Sequence, residues 1–456
     1  MGSPTHAPAP AGDASGAAPE DAPGDPAADA GDGPDAGVAA AEVATAEAAT
    51  DEAADRGGDR GDRGSATGPA GLSDRVLLAV TAAVTLPVLW MGYGTDLDIG
   101  DVRAVGELIR AGDYRPSRNP GVPVFETIVA LLDPVGGHIA INLAAAVAAG
   151  ATVVGVARLV RAWGRPNGDL VGLAFLASPI TLIAATSTTD FIFAVAFFVW
   201  GALAHLRDRS LAASVLFALA VGSRSSTLIL IGALLVADGW EAARRRRCLR
   251  TAAVLVPLGV ALYVPAWLAF DRTFGFLETE KGWRGLANNL GRFTYKNYAV
   301  AGVALVVVAA LATPALVRAL RRWGSDPMVR FAALAFVATE ALFLQLPWKP
   351  AHLLPSLLAL VLWVAASDRN RRPFLALLVG AIALNGLVAF RPLAPDDPDA
   401  STSARFEPAL TPGLVVNDID CRADFMHEDP HIGSGSWECA LKPMRGSSAD
   451  DPTPVG

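Results

Sequence analysis

From residue 73 to residue 391 the chain is a succession of apolar runs separated by short polar stretches, and it is flanked by two segments with little to bury. An α-helix needs roughly 17–25 predominantly apolar residues to cross a bilayer. Runs near 75–92, 137–158, 170–186, 189–205, 210–222, 225–239, 251–270, 298–317, 328–346, 352–367 and 373–390 predict about 11 transmembrane helices. The expected fold class is an all-α polytopic membrane protein. The run at 210–222 is short, and the alternative joins it to 225–239 as one broken helix.

Basic residues decide between these counts, because cytoplasmic connections carry the excess of Lys and Arg. With the N-terminus inside, the inner connections hold Arg158, Arg161 and Arg165, then Arg207 and Arg209. Next come Arg244 to Arg247 with Arg250, then Arg318, Arg321 and Arg322, and finally Arg369, Arg371 and Arg372. Each inner loop is Arg-rich only if 210–222 and 225–239 are separate spans. The expected topology is therefore a multi-pass protein of the cell membrane, with its N-terminus cytoplasmic and its C-terminus outside. The remaining polar features then fall on the outer side: 96–126, 186–190, 223–226, 271–297 and 348–352.

Three regions follow: a cytoplasmic tail over 1–72, the membrane domain over 73–391 and a short extracytoplasmic tail over 392–456. Residues 1–72 carry 14 acidic side chains and 3 Arg among Ala, Gly and Pro. Such a segment cannot offset the entropy of ordering, which predicts disorder. It has no basic start followed by an apolar stretch, so it is not read as a cleaved signal peptide. Residues 392–456 carry 12 acidic and 4 basic side chains, so the net charge of −8 belongs to the tails and the membrane domain alone is at +11. Nothing in this pattern points to nucleic acid; the basic domain suits anionic lipid or a phosphorylated substrate. With 33 Arg against four Lys, composition suggests a GC-rich prokaryote, a halophilic archaeon or an actinobacterium. Cys248 follows an Arg run and is expected free, whereas Cys421 and Cys439 could pair if their tail is outside. No Cys-x-x-Cys spacing exists, so zinc is not expected.

The candidate chemistry starts at Asp96-Leu-Asp98-Ile-Gly-Asp101, where a span meets water. Carboxylates beside hydrocarbon are costly and usually functional. Asp98 and Asp101 share a helix face, and either could instead serve as an N-cap. A carboxylate here can accept a proton from an attacking hydroxyl or bind a cation. Downstream, Ser117-Arg118-Asn119-Pro120-Gly121-Val122-Pro123-Val124-Phe125-Glu126 forms an ordered turn whose Arg118 suits phosphate or carboxylate. Asp190 begins a span after Thr186-Ser-Thr-Thr; the alternative is an N-cap by Thr188 or Thr189 with Asp190 in the first turn. Arg224 lies on the outer side against the orientation rule, which makes a phosphate partner attractive, and a lipid-headgroup contact is the alternative. Lys349 and His352, in Leu346-Pro-Trp-Lys-Pro-Ala-His-Leu-Leu-Pro355, stand at the mouth of a late span, with interfacial snorkelling of Lys349 and a polar cap by His352 as the alternative.

In combination these segments resemble the GT-C superfamily of membrane glycosyltransferases, which use sugars carried on polyprenyl or dolichyl phosphate. The resemblance rests on the acidic residues after the first span, the Ser-Arg-x-Pro-Gly-x-Pro-x-x-Glu turn, Asp190 and the Lys349–Pro355 segment. It implies GT-C-like outer loops and transfer of a sugar from a polyprenyl-phosphate donor to a lipid, glycan or protein acceptor, with inversion. It implies catalytic roles for Asp101, Asp98 and Asp190, and substrate binding by Arg118, Glu126, Arg224, Lys349 and His352. A divalent cation, Mg or Mn, is optional for this chemistry, and the Asp96–Asp98 pair is too little to claim a metal site. The sequence departs from the family at Asn119 and Val122 and lacks an aromatic residue or Glu directly after Asp101. Oligomeric state is not legible. A transporter of an anionic or lipid-linked substrate is the rival reading, and a non-catalytic scaffold the third.

Overall fold

Helix starts along this chain fall where proline or a short polar side chain suits the first turn, since proline at that position loses no hydrogen bond. In the computed structural model, which describes residues 71–96, 98–270, 272, 283–391 and 409–428, Ser73 opens α1 (Asp74–Thr85) by accepting from the backbone N–H of Val76. Asp326 opens α11 (Pro327–Gln345) by accepting from the N–H groups of Met328 and Val329. Pro123 opens α3 (Pro123–Ala162), and Pro179 opens α5 (Pro179–Ala185) after α4 (Gly168–Leu176). Between α1 and α3 lies the short α2 (Ile99–Arg110). The centre of the chain is α6 (Phe191–Leu206), α7 (Ser210–Ser223), α8 (Leu228–Gly239) and α9 (Ala242–Ala269). The later helices of the 73–391 region are α10 (Trp283–Leu320), α12 (Leu354–Ala366) and α13 (Arg372–Leu387).

A helix stands at each expected span. Among the described residues four helices, α3, α9, α10 and α11, are long and apolar enough to cross a membrane alone, and α4 with α5 would make a fifth as a span bent by 75°. Shorter apolar helices, α6, α7, α8, α12 and α13, occupy five of the other positions, and the 12-residue α1 stands at the first. The break at Arg224, whose backbone is extended, keeps α7 and α8 apart. Two helices bend where glycine permits it. α3 turns at Gly136 and Gly137, and α10 turns at Gly302 with φ of +62°. At the second bend Asn385 donates to the freed carbonyls of Ala299 and Val300. Polar cover of this kind lets a broken helix persist in an apolar setting.

Burial supports a lipid-facing exterior. The apolar stretch of α9 is only 11% buried, and Val256, Val260, Val264 and Leu268 form an exposed stripe at fourfold spacing. An apolar helix left uncovered by protein is costly in water and favourable in lipid.

The Arg-rich loops gather at one end of the bundle. Arg158 and Arg161 pair with Asp74, Arg165 with Asp326, Arg372 with Asp169 and Arg318 with Asp368. The acidic and basic residues expected on the outer side meet at the other end.

One polar segment differs from expectation, and a second carries structure on which the sequence is silent. Residues 283–297, expected within an outer loop, form the first turns of α10, where Lys296 donates to the carbonyl of Trp348. The C-terminal tail also carries structure. β1 (Val388–Arg391) pairs antiparallel with β2 (Ala409–Pro412), Val388 opposite Pro412, and α14 (Leu414–Glu428) follows. The expected disordered segment lies outside the described residues up to residue 70, as do the acidic and basic side chains of 278–281.

Candidate functional site

Five separate parts of the chain converge at the end opposite the Arg-rich loops. The first is the turn into α2. Asp98 occupies the N-cap position of that helix, but its side chain makes no capping hydrogen bond. Its carboxylate instead pairs with Arg118 and, at 2.7 Å, with Lys349. Asp96, 4% exposed, accepts the N–H of Asp98 and pairs with Lys349 at 2.5 Å. The second part is the 114–126 turn. Glu126 is fully buried, and it accepts from the Ser117 N–H and hydroxyl and from the Tyr114 hydroxyl. This buried carboxylate shapes the turn that carries Arg118.

The third part is the 186–190 loop. Asp190 is the N-cap of α6, again with no capping bond, and neither Thr188 nor Thr189 takes that place. Its carboxylate accepts from Arg118 Nη2 at 2.8 Å and from Arg224 Nη1 at 2.8 Å. The fourth and fifth parts are the breaks at 224 and 349–352. Arg224 stacks over the Phe191 ring at 3.6 Å, and its Nη2 lies 2.7 Å from His352 Nε2. With the guanidinium donating, His352 Nε2 accepts, which sets the neutral ring with its proton on Nδ1.

The result is an alternating chain of charge: Asp96, Lys349, Asp98, Arg118, Asp190, Arg224, then His352. Three carboxylates and three cations cancel in a largely buried setting, where each charge needs its partner. Burial holds the Lys349 ammonium below the usual lysine range, opposed by the nearby Asp96 carboxylate. Burial and Glu126 push the Tyr114 hydroxyl up, and Tyr93, buried beside Asp133, rises to about 12. Beside the chain, Asn119 Oδ1, Thr189 Oγ1 and Ser223 Oγ are buried and without a hydrogen-bond partner. Each is the sequence neighbour of a cluster member, and buried polar atoms are normally paired.

The structure thus brings together Asp98, Asp190, Arg118, Arg224, Lys349 and His352 of the candidates read from the sequence. It does not bring in Asp101, which is exposed in the first turn of α2. Glu126 serves the turn that holds Arg118 and stands outside the charge chain. Asp96, to which the resemblance gives no catalytic role, anchors Lys349. Asn142 was not singled out, although it donates to the carbonyls of Leu89 and Gly92 and accepts from Thr188. Its signal was a lone amide in an otherwise apolar run.

A divalent cation at Asp96 or Asp98 would have to displace Lys349 or Arg118. Among the described residues, the ligating atoms of His205, Asp238 and Cys248 also lie within 4.8 Å of one another. Arg247 Nη2 donates to both Asp238 oxygens at 2.7 and 2.6 Å, so that carboxylate already has its cation. Cys248 is free and buried, whereas Cys421 is disulfide-bonded. Its expected partner, Cys439, lies outside the described residues.

No family model matches the sequence, and no curated protein matches it. Among solved structures the chain is similar to ArnT from Cupriavidus metallidurans bound to undecaprenyl phosphate, at 18% identity over 64% of this chain and 59% of that one, with a TM-score of 0.48. It is also similar to ArnT from the same organism in the apo state, at 20% identity, 64% and 58% coverage and a TM-score of 0.47. The match therefore spans less than two thirds of either structure's length.

Proposed function

We propose that this protein is an integral membrane glycosyltransferase that moves a sugar from a polyprenyl-phosphate donor to a lipid, glycan or protein acceptor at the outer face. The observation that carries the reading is the charge chain itself. Three buried or half-buried cations from separate elements are aimed at one place, each held by a carboxylate that a phosphate can replace. Fixed cations of this kind stabilise the negative charge of a departing phosphate without reorganising during the reaction.

The chemistry is a single displacement. The acceptor hydroxyl oxygen forms the new bond to the anomeric carbon, and the bond from that carbon to the phosphate oxygen breaks. The electron pair leaves with the carrier phosphate, which Arg118, Arg224 and Lys349 receive. The acceptor proton passes to Asp98. In the resting cluster that carboxylate is occupied by Arg118 and Lys349. Donor phosphate draws both cations toward itself and frees Asp98 as a base, so proton acceptance is available only once donor is bound. The orphan Asn119, Thr189 and Ser223 oxygens are suited to sugar hydroxyls at the edge of the cluster. Displacement by one nucleophile inverts the anomeric centre.

The test is transfer of radiolabelled sugar from polyprenyl-phosphate donors in membranes containing wild type, Asp98→Asn or Asp101→Asn at equal protein level. The proposal expects transfer by wild type, a loss of at least about 100-fold in Asp98→Asn, in keeping with a missing general base, and a smaller loss in Asp101→Asn. Wild-type transfer with the larger loss in Asp101→Asn would move the base to Asp101. Lipid-linked sugar crossing a bilayer intact, with no transfer, would establish the transporter instead.

A further inference from the structure

The two loops that supply the carboxylates share a third partner, and it comes from the C-terminal tail. α14 carries Asp418 and Arg422 one helical turn apart, 1% and 2% exposed. Arg422 Nη1 donates to the carbonyl of Thr186 at 2.8 Å, and its Nη2 donates to Ser187 Oγ at 2.5 Å and pairs with Asp418 at 2.7 Å. Asp418 Oδ1 accepts from Thr95 Oγ1 at 2.6 Å. Thr95 immediately precedes Asp96, and Ser187 stands three residues before Asp190. The same two loops touch directly, because the Thr188 N–H donates to the carbonyl of Tyr93 at 2.8 Å. Gly94, at φ of +108°, has no room for a side chain, since an added Cβ would sit 2.6 Å from Ser187 Cβ.

We propose that α14 is a clamp for the acidic site. Asp418 and Arg422 act as positioning residues that hold 93–96 and 186–190 at the spacing where Asp96, Asp98 and Asp190 share their cations. The inference rests on reading that cluster as the transfer centre. A buried guanidinium–carboxylate pair is expensive to desolvate and is a poor way to attach a terminal helix. Leu414 is already buried, and Val415 packs close to Gly386. Among the described residues the pair's other hydrogen bonds go to the two loops, while Arg422 Nε is buried without a partner. The disulfide at Cys421, beside Arg422, adds a covalent constraint to the same helix.

The sensitivity follows from geometry, because a misplacement of about 1 Å in a reacting site costs on the order of 100-fold in rate. The experiment uses the full chain in lipid nanodiscs, comparing wild type with Arg422→Gln, Arg422→Lys, Asp418→Asn and the exposed-site control Asp420→Asn. It reads sugar transfer per folded protein together with amide hydrogen exchange. The clamp expects Arg422→Gln and Asp418→Asn to lower turnover about 100-fold. It also expects exchange at 186–190 to rise at least about tenfold while exchange in α11 and α12 stays unchanged. Arg422→Lys recovers part of both effects, and Asp420→Asn behaves as wild type. Wild-type exchange and turnover in Arg422→Gln would overturn the proposal. If that variant does not fold, Thr95→Val removes only one hydroxyl and should loosen 93–96 in the same direction; unchanged exchange there would overturn it. A wild type that transfers no sugar would sink the transferase reading, while the exchange measurements would still decide whether α14 holds the loops.

Discussion

Asp190→Asn tests the charge chain at its centre. The carboxylate faces Arg224 and Arg118 at 2.8 Å each, and its side chain is 4% exposed. At an effective dielectric constant of about 20, one pair at this distance has a gross attraction of roughly 6 kcal/mol. Desolvation of both ions offsets much of it. Removing one partner of a buried pair typically costs about 3–5 kcal/mol, because the other charge is left uncompensated. Arg118 keeps Asp98 and is 29% exposed, so the lower end of that range, about 3 kcal/mol, is expected for Asp190→Asn. Arg224→Met keeps the apolar stem over Phe191 and leaves Asp190 with Arg118, for a loss of about 2 kcal/mol. The double variant should fall short of the sum by about 2 kcal/mol, since both changes remove one interaction. A double-mutant cycle measured by reversible unfolding in mixed detergent micelles reads this coupling. Additivity within about 0.5 kcal/mol would mean that the Asp190–Arg224 pair contributes nothing, and the account of the cluster would fail.

Lys349 gives a pH prediction. Because burial holds its ammonium below the usual lysine range, raising the pH removes this cation earlier than it would an exposed lysine, and transfer should fall on the alkaline side. Arg remains charged across that range, so Lys349→Arg should move the alkaline limb of the pH–rate profile upward; an unmoved limb would assign it to another group. The Gly302 bend predicts a stability effect: Asn385→Leu strips two hydrogen bonds from the carbonyls of Ala299 and Val300 and should cost about 2–3 kcal/mol in detergent unfolding. Gly302→Ala should destabilise as well, because its Cβ would sit 1.7 Å from Asn385 Oδ1, and a wild-type unfolding midpoint in either variant would contradict the described bend.

Much of the helical framework was legible because apolar length and Arg placement are local signals. The sequence separates 210–222 from 225–239 by the charge of the loops around them, and the extended backbone at Arg224 marks the same break. Helix interiors were less legible, since a bend such as Gly302 depends on Asn385, 83 positions away. At the site, Arg118, Arg224 and Lys349 stood out as cations on the side where cations are unexpected. Choosing between Asp98 and Asp101 was harder. The two share a helix face, and only the positions of Arg118 and Lys349 distinguish the paired carboxylate from the exposed one. The role of α14 could not be read at all. A polar 15-residue helix after the last apolar run carries no local mark of a partner, and Asp418 meets Thr95 across 323 residues.

The central claim is that the cluster cleaves a sugar from a carrier phosphate rather than moving the intact lipid. Its most direct test is single-turnover reaction of the purified full chain in proteoliposomes loaded with a doubly labelled polyprenyl-phosphate sugar. The account predicts one free carrier phosphate released for each sugar transferred to acceptor, with both signals lost together in Asp98→Asn. Donor recovered intact on the opposite leaflet, with no carrier phosphate freed, would contradict it.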